Sequence, residues 1–247
     1  MVTVRPLNVE LALFLAICCK KTYVQFKNDG IFTVPDGFRL VTPIKAQTGN
    51  TPEWFGFVME SDSEVVLAFR GTQTDPDWIA DADVGQERFP FTNGAGLTHS
   101  GFTSIYKTCR EQIFRAFRSV SPFKKLYITG HSLGGALSVL AILDIVSNAH
   151  FDFPVMMNFG APRTGNPRFT TVYDWLVDRS FRVVNTHDIV PMLPPKKIRS
   201  LTSDKTWYYS HLKGDHRISI QTGSIRGNHS INTYIKALKH LKETRRL

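Results

Sequence analysis

Cysteine is scarce: the 247 residues hold three, Cys18, Cys19 and Cys109. An odd count with two neighbours rules out a disulfide framework and leaves at most one bridge, from Cys109 to one of the pair. Such sparing use points to a reducing compartment. Apolar runs long enough to span a bilayer are also missing. The stretch L-A-L-F-L-A-I-C-C at 11–19 is far short of the ~20 residues a membrane helix needs. It makes a poor secretory leader as well, with Glu10 at its edge and Lys20–Lys21 where a small-x-small cleavage site belongs. Ile17 occupies the place where a lipoprotein signal needs a small residue. The run therefore reads as the first helix of the fold, and a cytoplasmic location is favoured while secretion stays open. Repeats, low-complexity tracts and linkers are absent too, so residues 1–247 are expected to form a single domain.

Positive charge is what the chain has in excess. Thirty basic against 21 acidic residues give +9, which favours anionic partners such as phospholipid headgroups or fatty-acid anions. Nucleic acid is disfavoured, because neither zinc-finger spacing nor an aromatic RNA-binding motif accompanies the charge. Part of the excess lies in the C-terminal I-K-A-L-K-H-L-K-E-T-R-R-L. There Ile235, Leu238 and Leu241 recur at helical spacing, predicting an amphipathic helix that packs one face and solvates its lysines.

Hydrophobic patterning predicts a helix over 8–27 and strand-like pieces at Phe32–Val34, Phe38–Leu40, Trp54–Met59 and Val65–Phe69. A polar stretch runs from Thr72 to about Thr98. Then follow a helix over Ser104–Val120, a strand at Leu126–Ile128, a helix over Gly134–Ala149 and a strand at Val155–Phe159. Asn166–Arg179 reads as helical and Phe181–Asn185 as a strand. An irregular Pro191–Pro195 precedes a strand-like segment around Trp207, and a last helix covers Thr233–Lys242. Alternation of this kind implies a mainly parallel sheet with helices on its faces.

Between the Leu126–Ile128 strand and the helix after it stands G-H-S-L-G-G. In G-x-S-x-G a serine sits on a strained strand-to-helix turn, here Ser132. Gly130 and Gly134 approach too closely for a β-carbon, and Gly135 lets the helix lie near the strand. The turn lifts the hydroxyl clear of the sheet and aims the Leu133 N–H, at a helix N-terminus, at negative charge on a reacting oxygen. A bare match arises by chance in roughly one chain in ten to twenty; the flanking strand and helix are what give it weight.

A serine nucleophile needs a base and a carboxylate to orient that base, and in this architecture they follow in the order Ser, Asp or Glu, His. Asp188 directly follows a strand, so its loop projects at the same sheet edge as Ser132. Asp178 lies in the preceding helical stretch, and Asp204 and Asp215 in polar segments. The candidate bases are His187, His211, His216, His229 and His240. Position prefers Asp188 and His229, the latter in the loop before the last helix, without deciding the matter.

Five segments in order resemble the class 3 lipases, the fungal-lipase-like branch of the α/β-hydrolases: V-V-L-A-F-R-G-T at 65–72, H-S-G-F at 99–102, G-H-S-L-G-G-A at 130–136, F-G-A-P-R-T-G-N at 159–166 and D-I-V-P-M-L-P-P at 188–195. The resemblance implies an α/β-hydrolase fold with a short lid at about 73–85. It makes Ser132 the nucleophile, Asp188 the orienting acid and His229 the base, with His211 as rival. Thr72 and Leu133 become the oxyanion-hole donors, and Trp78 and Ile79 the lid residues that cover the site.

The activity implied is a triacylglycerol lipase or related carboxylic ester hydrolase. Phospholipase, galactolipase, short-chain esterase or feruloyl esterase are alternatives, and a silent lipid-binding scaffold is a remote one. No metal or cofactor is called for. The partner is a lipid ester at a lipid–water interface, with transient membrane or micelle contact, and no protein partner is implied.

Overall fold

The computed structural model describes residues 5–49, 51–72, 85–199 and 204–244. Its centre is a seven-stranded sheet. In chain order the strands are β1 (Arg39–Gln47), β2 (Pro52–Glu60), β3 (Glu64–Phe69), β6 (Lys125–His131), β7 (Val155–Phe159), β8 (Ser180–Asn185) and β11 (Asp215–Ile218), and they lie side by side in that same order. The first three pair antiparallel; from β3 to β11 every pairing is parallel. Two small hairpins stand apart, β4 (Gln86–Arg88) with β5 (Leu97–His99), and β9 (Lys197–Arg199) with β10 (Thr206–Tyr208).

Helices cover both faces. On one side lie α2 (Ser100–Arg118), α3 (Leu133–Asn148) and α4 (Pro167–Leu176); on the other lie α1 (Val9–Lys27) and the C-terminal α6 (Ile231–Thr244). The alternation of β3 divides its side chains accordingly. Val65, Leu67 and Phe69 enter the first core, and Val66 and Ala68 the second. The two layers also separate the cysteines: Cys109 lies in the first core, Cys18 and Cys19 in the second, and all three are free thiols. The one disulfide left open by the sequence is therefore not formed.

The apolar run at 11–19 is part of α1, where Ala12, Leu15, Ala16, Cys18 and Cys19 are fully buried against the sheet. Among the described residues no helix is long and apolar enough to cross a membrane. On α6, Leu238 is buried and Ile235 and Leu241 pack against the second core, while Lys236 and Lys239 are exposed.

Three segments differ from the sequence expectation. Phe32–Val34 is not a strand; Phe32 packs its ring on Phe57, with centroids 4.8 Å apart, and the segment joins no ladder. The strand expected at Phe38–Leu40 instead begins at Arg39 and continues to Gln47. Its Pro43 is tolerated because β1 is an edge strand. The polar D-H-R-I at 215–218 forms β11, the other edge, where only Ile218 is buried.

Candidate active site

The parallel strands deliver their carboxyl ends to one edge, where the loops after β3, β6, β7 and β8 meet. Ser132 occupies the turn between β6 and α3 with φ +58° and ψ −127°, a left-handed backbone that a side-chain-bearing residue seldom adopts. The glycines around it explain how so sharp a turn fits. A β-carbon on Gly130 would lie 1.9 Å from the Gly134 carbonyl oxygen. One on Gly134 would lie 2.5 Å and 2.6 Å from the carbonyl oxygens of Phe69 and Arg70. Gly135 is pressed against Ala161, 2.6 Å from where its β-carbon would be, so the helix packs on the loop after β7 as well as near β6.

Asp188 follows β8 and is fully bonded. Its Oδ2 accepts from His229 Nδ1 at 2.7 Å and from the Tyr234 hydroxyl at 2.6 Å, and its Oδ1 accepts from the Val190 N–H at 2.9 Å. A carboxylate partner places the imidazole proton on Nδ1. Nε2 of His229 is buried and makes no hydrogen bond among the described residues, so it is not bonded to the Ser132 hydroxyl in this resting geometry. His229 does not sit in a loop, as expected from sequence; it ends a short helix, α5 (Ile225–His229), immediately before α6.

The rival histidines are engaged elsewhere. His211 Nε2 donates to the Pro191 carbonyl at 2.5 Å, and burial, with Arg182 beside it, holds this imidazole down at about 3. The exposed His187 bonds Ser219. His240 is exposed on α6 and His216 lies in β11. Of the rival acids, Asp178 pairs with Arg5, Asp204 with Arg199 and Asp215 with Arg217, all at the surface.

Thr72 follows Gly71, whose position is so close to the turn that a β-carbon there would lie 2.8 Å from Ser132 Cβ. Leu133 opens α3, so its N–H is among those a first helical turn leaves without an intrahelical acceptor. Trp78 and Ile79, and residues 73–84 of the lid expectation, lie outside the described residues.

Residues given no role from the sequence, several of them inside the segments that resemble the family's, brace this edge. His131 Nε2 donates to the His229 carbonyl at 2.7 Å, which leaves Nδ1 to accept from the Tyr23 hydroxyl at 2.6 Å. The same hydroxyl oxygen accepts the Gly71 N–H at 3.2 Å. Burial, then the neighbouring His229, holds the His131 imidazole well below its usual range, so it stays neutral with its ring centroid 4.6 Å from that of His229. A single chain of bonds thus runs from the end of β3 through α1 and the end of β6, next to the Ser132 turn, to His229. Arg70, buried between Phe26 and Phe55, donates to the Gly71 and Trp54 carbonyls and pairs with Glu53 at 2.8 Å. Asn185 reaches the carbonyls of Ile220 and Asn228, tying the acid's strand to the helix that carries His229. Arg163 donates to the carbonyls of Met192 and Pro194, fixing the chain beyond Asp188. His99 has a structural part: it caps α2 through the Gly101 N–H and stacks on Phe102.

A serine elbow after one central strand, an acid after another and a histidine bonded to that acid, all at the carboxyl edge of a mainly parallel sheet, define an α/β-hydrolase fold. Residues 66–198, just over half of the chain, match the family model described as lipase (class 3), and the chain belongs to that family. It is 30% identical over 220 residues to a lipase of Rhizopus niveus, covering 84% of this chain and 54% of that protein. It is 31% identical over 208 residues to a chloroplastic phospholipase A1 of Arabidopsis thaliana, covering 64% of this chain and 39% of that one. The fold is similar to that of the Rhizomucor miehei triacylglyceride lipase, with a TM-score of 0.69 at 22% identity over 85% of this chain and 79% of the other. The chain spans about half the length or less of the curated relatives it matches first.

Proposed function

We propose that this chain hydrolyses carboxylic esters of lipids, acylglycerols first among them, through a covalent acyl-enzyme. The observation that carries the reading is the His229–Asp188–Tyr234 cluster, assembled beside the left-handed Ser132 turn. Ser132 Oγ attacks the acyl carbonyl while His229 Nε2 takes its proton. Asp188 holds the Nδ1–H tautomer and stabilises the imidazolium that forms. The oxyanion is received by the N–H groups of Thr72 and Leu133, donors fixed before the reaction begins. Collapse expels the alcohol, which takes the proton from His229. Water then attacks the acyl-enzyme with the same groups in reverse, releasing the acid and restoring Ser132.

The test is hydrolysis of a triglyceride series, tributyrin to triolein, by the wild type and Ser132→Ala, together with fluorophosphonate labelling. Long-chain turnover and labelling in the wild type only are expected. Turnover confined to dissolved short esters would make the protein an esterase, and equal inertness of both would refute the reading. A phospholipid ester is the second reading, supported by the relatives named phospholipase A1; release of the sn-1 acyl chain from phosphatidylcholine tests it.

A further inference from the structure

The excess positive charge has a specific address at the active-site edge. Residues 196–208 contain Lys196, Lys197, Arg199 and Lys205 against one acid, Asp204. Lys197–Arg199 and Thr206–Tyr208 form the β9–β10 hairpin, outside the main sheet, with Lys197 paired to Tyr208, Ile198 to Trp207 and Arg199 to Thr206. Since side chains alternate along a strand, Ile198 and Trp207 share one face and Lys197, Arg199 and Tyr208 the other. The first two are half-buried; the latter three are exposed, Tyr208 to 50%. The ion pair between Arg199 and Asp204 is fully at the surface and holds Arg199 only weakly.

The hairpin is fastened to the edge that carries Ser132. The Arg163 N–H donates to the Leu193 carbonyl at 2.7 Å, the Ser210 N–H to Gly165 at 2.9 Å, and the Tyr209 N–H to Lys196 at 3.0 Å. On the chain between Asp188 and the hairpin, Met192 is 65% exposed and Ile189 is also exposed. Cations, an amphipathic aromatic ring and exposed apolar side chains on one edge match a lipid surface, where phosphates meet acyl chains. A soluble polyanion would use the charges and leave Met192, Ile189 and the Tyr208 ring in water.

We infer that the β9–β10 hairpin is a docking element for anionic lipid surfaces. Lys197 and Arg199 meet headgroup phosphates. Lys196 and Lys205, the latter with its ammonium 5.7 Å from the Trp207 ring centroid, add to the local positive field. Tyr208 and Met192 enter the interface, and the Ser132 edge is turned toward the membrane. The inference rests on the reading of the chain as a lipid-ester hydrolase, but its test is a binding measurement that needs no turnover.

Flotation of the full chain is measured with vesicles of ether-linked phosphatidylcholine, which offer no ester to cleave, with and without ether-linked phosphatidylglycerol, at low and high salt. Binding is expected on the anionic vesicles and at least tenfold weaker on the neutral ones, with loss at high salt. The variant with all four cations replaced by Gln is expected to bind the anionic vesicles about a hundredfold more weakly. Met192→Ser is expected to weaken binding a few-fold at unchanged salt dependence, and both variants should hydrolyse dissolved p-nitrophenyl butyrate as the wild type does. Equal binding to the two vesicle types, or a Gln variant that binds like the wild type, would overturn the inference. So would tighter retention on single-stranded RNA than on anionic vesicles. Vesicle binding that follows this pattern in a chain that cleaves no ester would uphold the docking role and sink the hydrolase reading alone.

Discussion

Tyr23→Phe removes one oxygen atom from a helix that carries none of Ser132, Asp188 and His229, yet the structure ties it to the residue before Ser132 and, through that residue, to the backbone of His229. The hydroxyl accepts the Gly71 N–H and donates to His131 Nδ1, so its loss leaves a buried donor and a buried acceptor without partners. Each orphaned group costs about 1–3 kcal/mol, offset in part because the phenyl ring has no hydroxyl of its own to desolvate. A net loss of about 2 kcal/mol follows, which for a chain of this size lowers Tm by about 4–8 °C. The same two bonds fix the strand end before Thr72 and, through His131, the backbone of His229. The expected signature is therefore a roughly tenfold fall in kcat for a dissolved ester with KM unchanged. His131→Asn breaks the same chain of bonds, so the double variant should lose little more than the worse single one. Thermal denaturation and steady-state kinetics on the three variants check this. A Tyr23→Phe protein that melts within about 1 °C of the wild type and keeps its kcat would refute the reasoning.

Asp188→Asn leaves the site's shape but no longer enforces the Nδ1–H tautomer, so kcat should fall about ten-thousandfold; Tyr234→Phe, which removes one of two bonds to the same oxygen, should cost roughly tenfold. Gly134→Ala places a methyl group within 2.6 Å of two backbone carbonyl oxygens and should destabilise by about 3 kcal/mol or lose soluble expression. Stability should also depend on acidity through His211 and His131, both held below their unfolded range. The His211 contribution is complete above about pH 6.5 and is lost as the pH falls toward 3, by about 1.4 kcal/mol per pH unit, and the His131 contribution is lost in the same direction. Urea titrations between pH 7 and 5 should show a gentler slope for His211→Asn than for the wild type, and identical slopes would contradict the assignment.

The centre of this molecule was legible in its sequence and the rim was not. Strands β3, β6 and β7 are buried on both faces and so read as plain apolar runs, and each glycine around Ser132 states a steric constraint that the fold honours. At the sheet's edges the signal fails. Strand β1 contains a proline and β11 buries a single side chain, while Phe32–Val34 alternates like a strand but finds no partner. Order and position prefer Asp188 and His229; what separates His229 from His211 is the bond to Asp188, a contact across 41 residues. Tyr234 gave no sign at all, because a tyrosine in the apolar stripe of a helix looks like packing until its hydroxyl is seen to reach a carboxylate. Tyr23 and His131 were hidden in the same way, and their significance lies in bonds between segments 108 residues apart.

Helix α1 lies wholly before the stretch that matches the family model, and His229 and Tyr234 lie wholly after it. A fragment cut to residues 66–198 would retain Ser132 and Asp188 but surrender His229 and Tyr234, the two donors to Asp188 Oδ2, and the hydroxyl that ties Gly71 to His131. The recognisable segment and the working machine are different objects. Shortening this protein from either end is a test of chemistry as much as of folding.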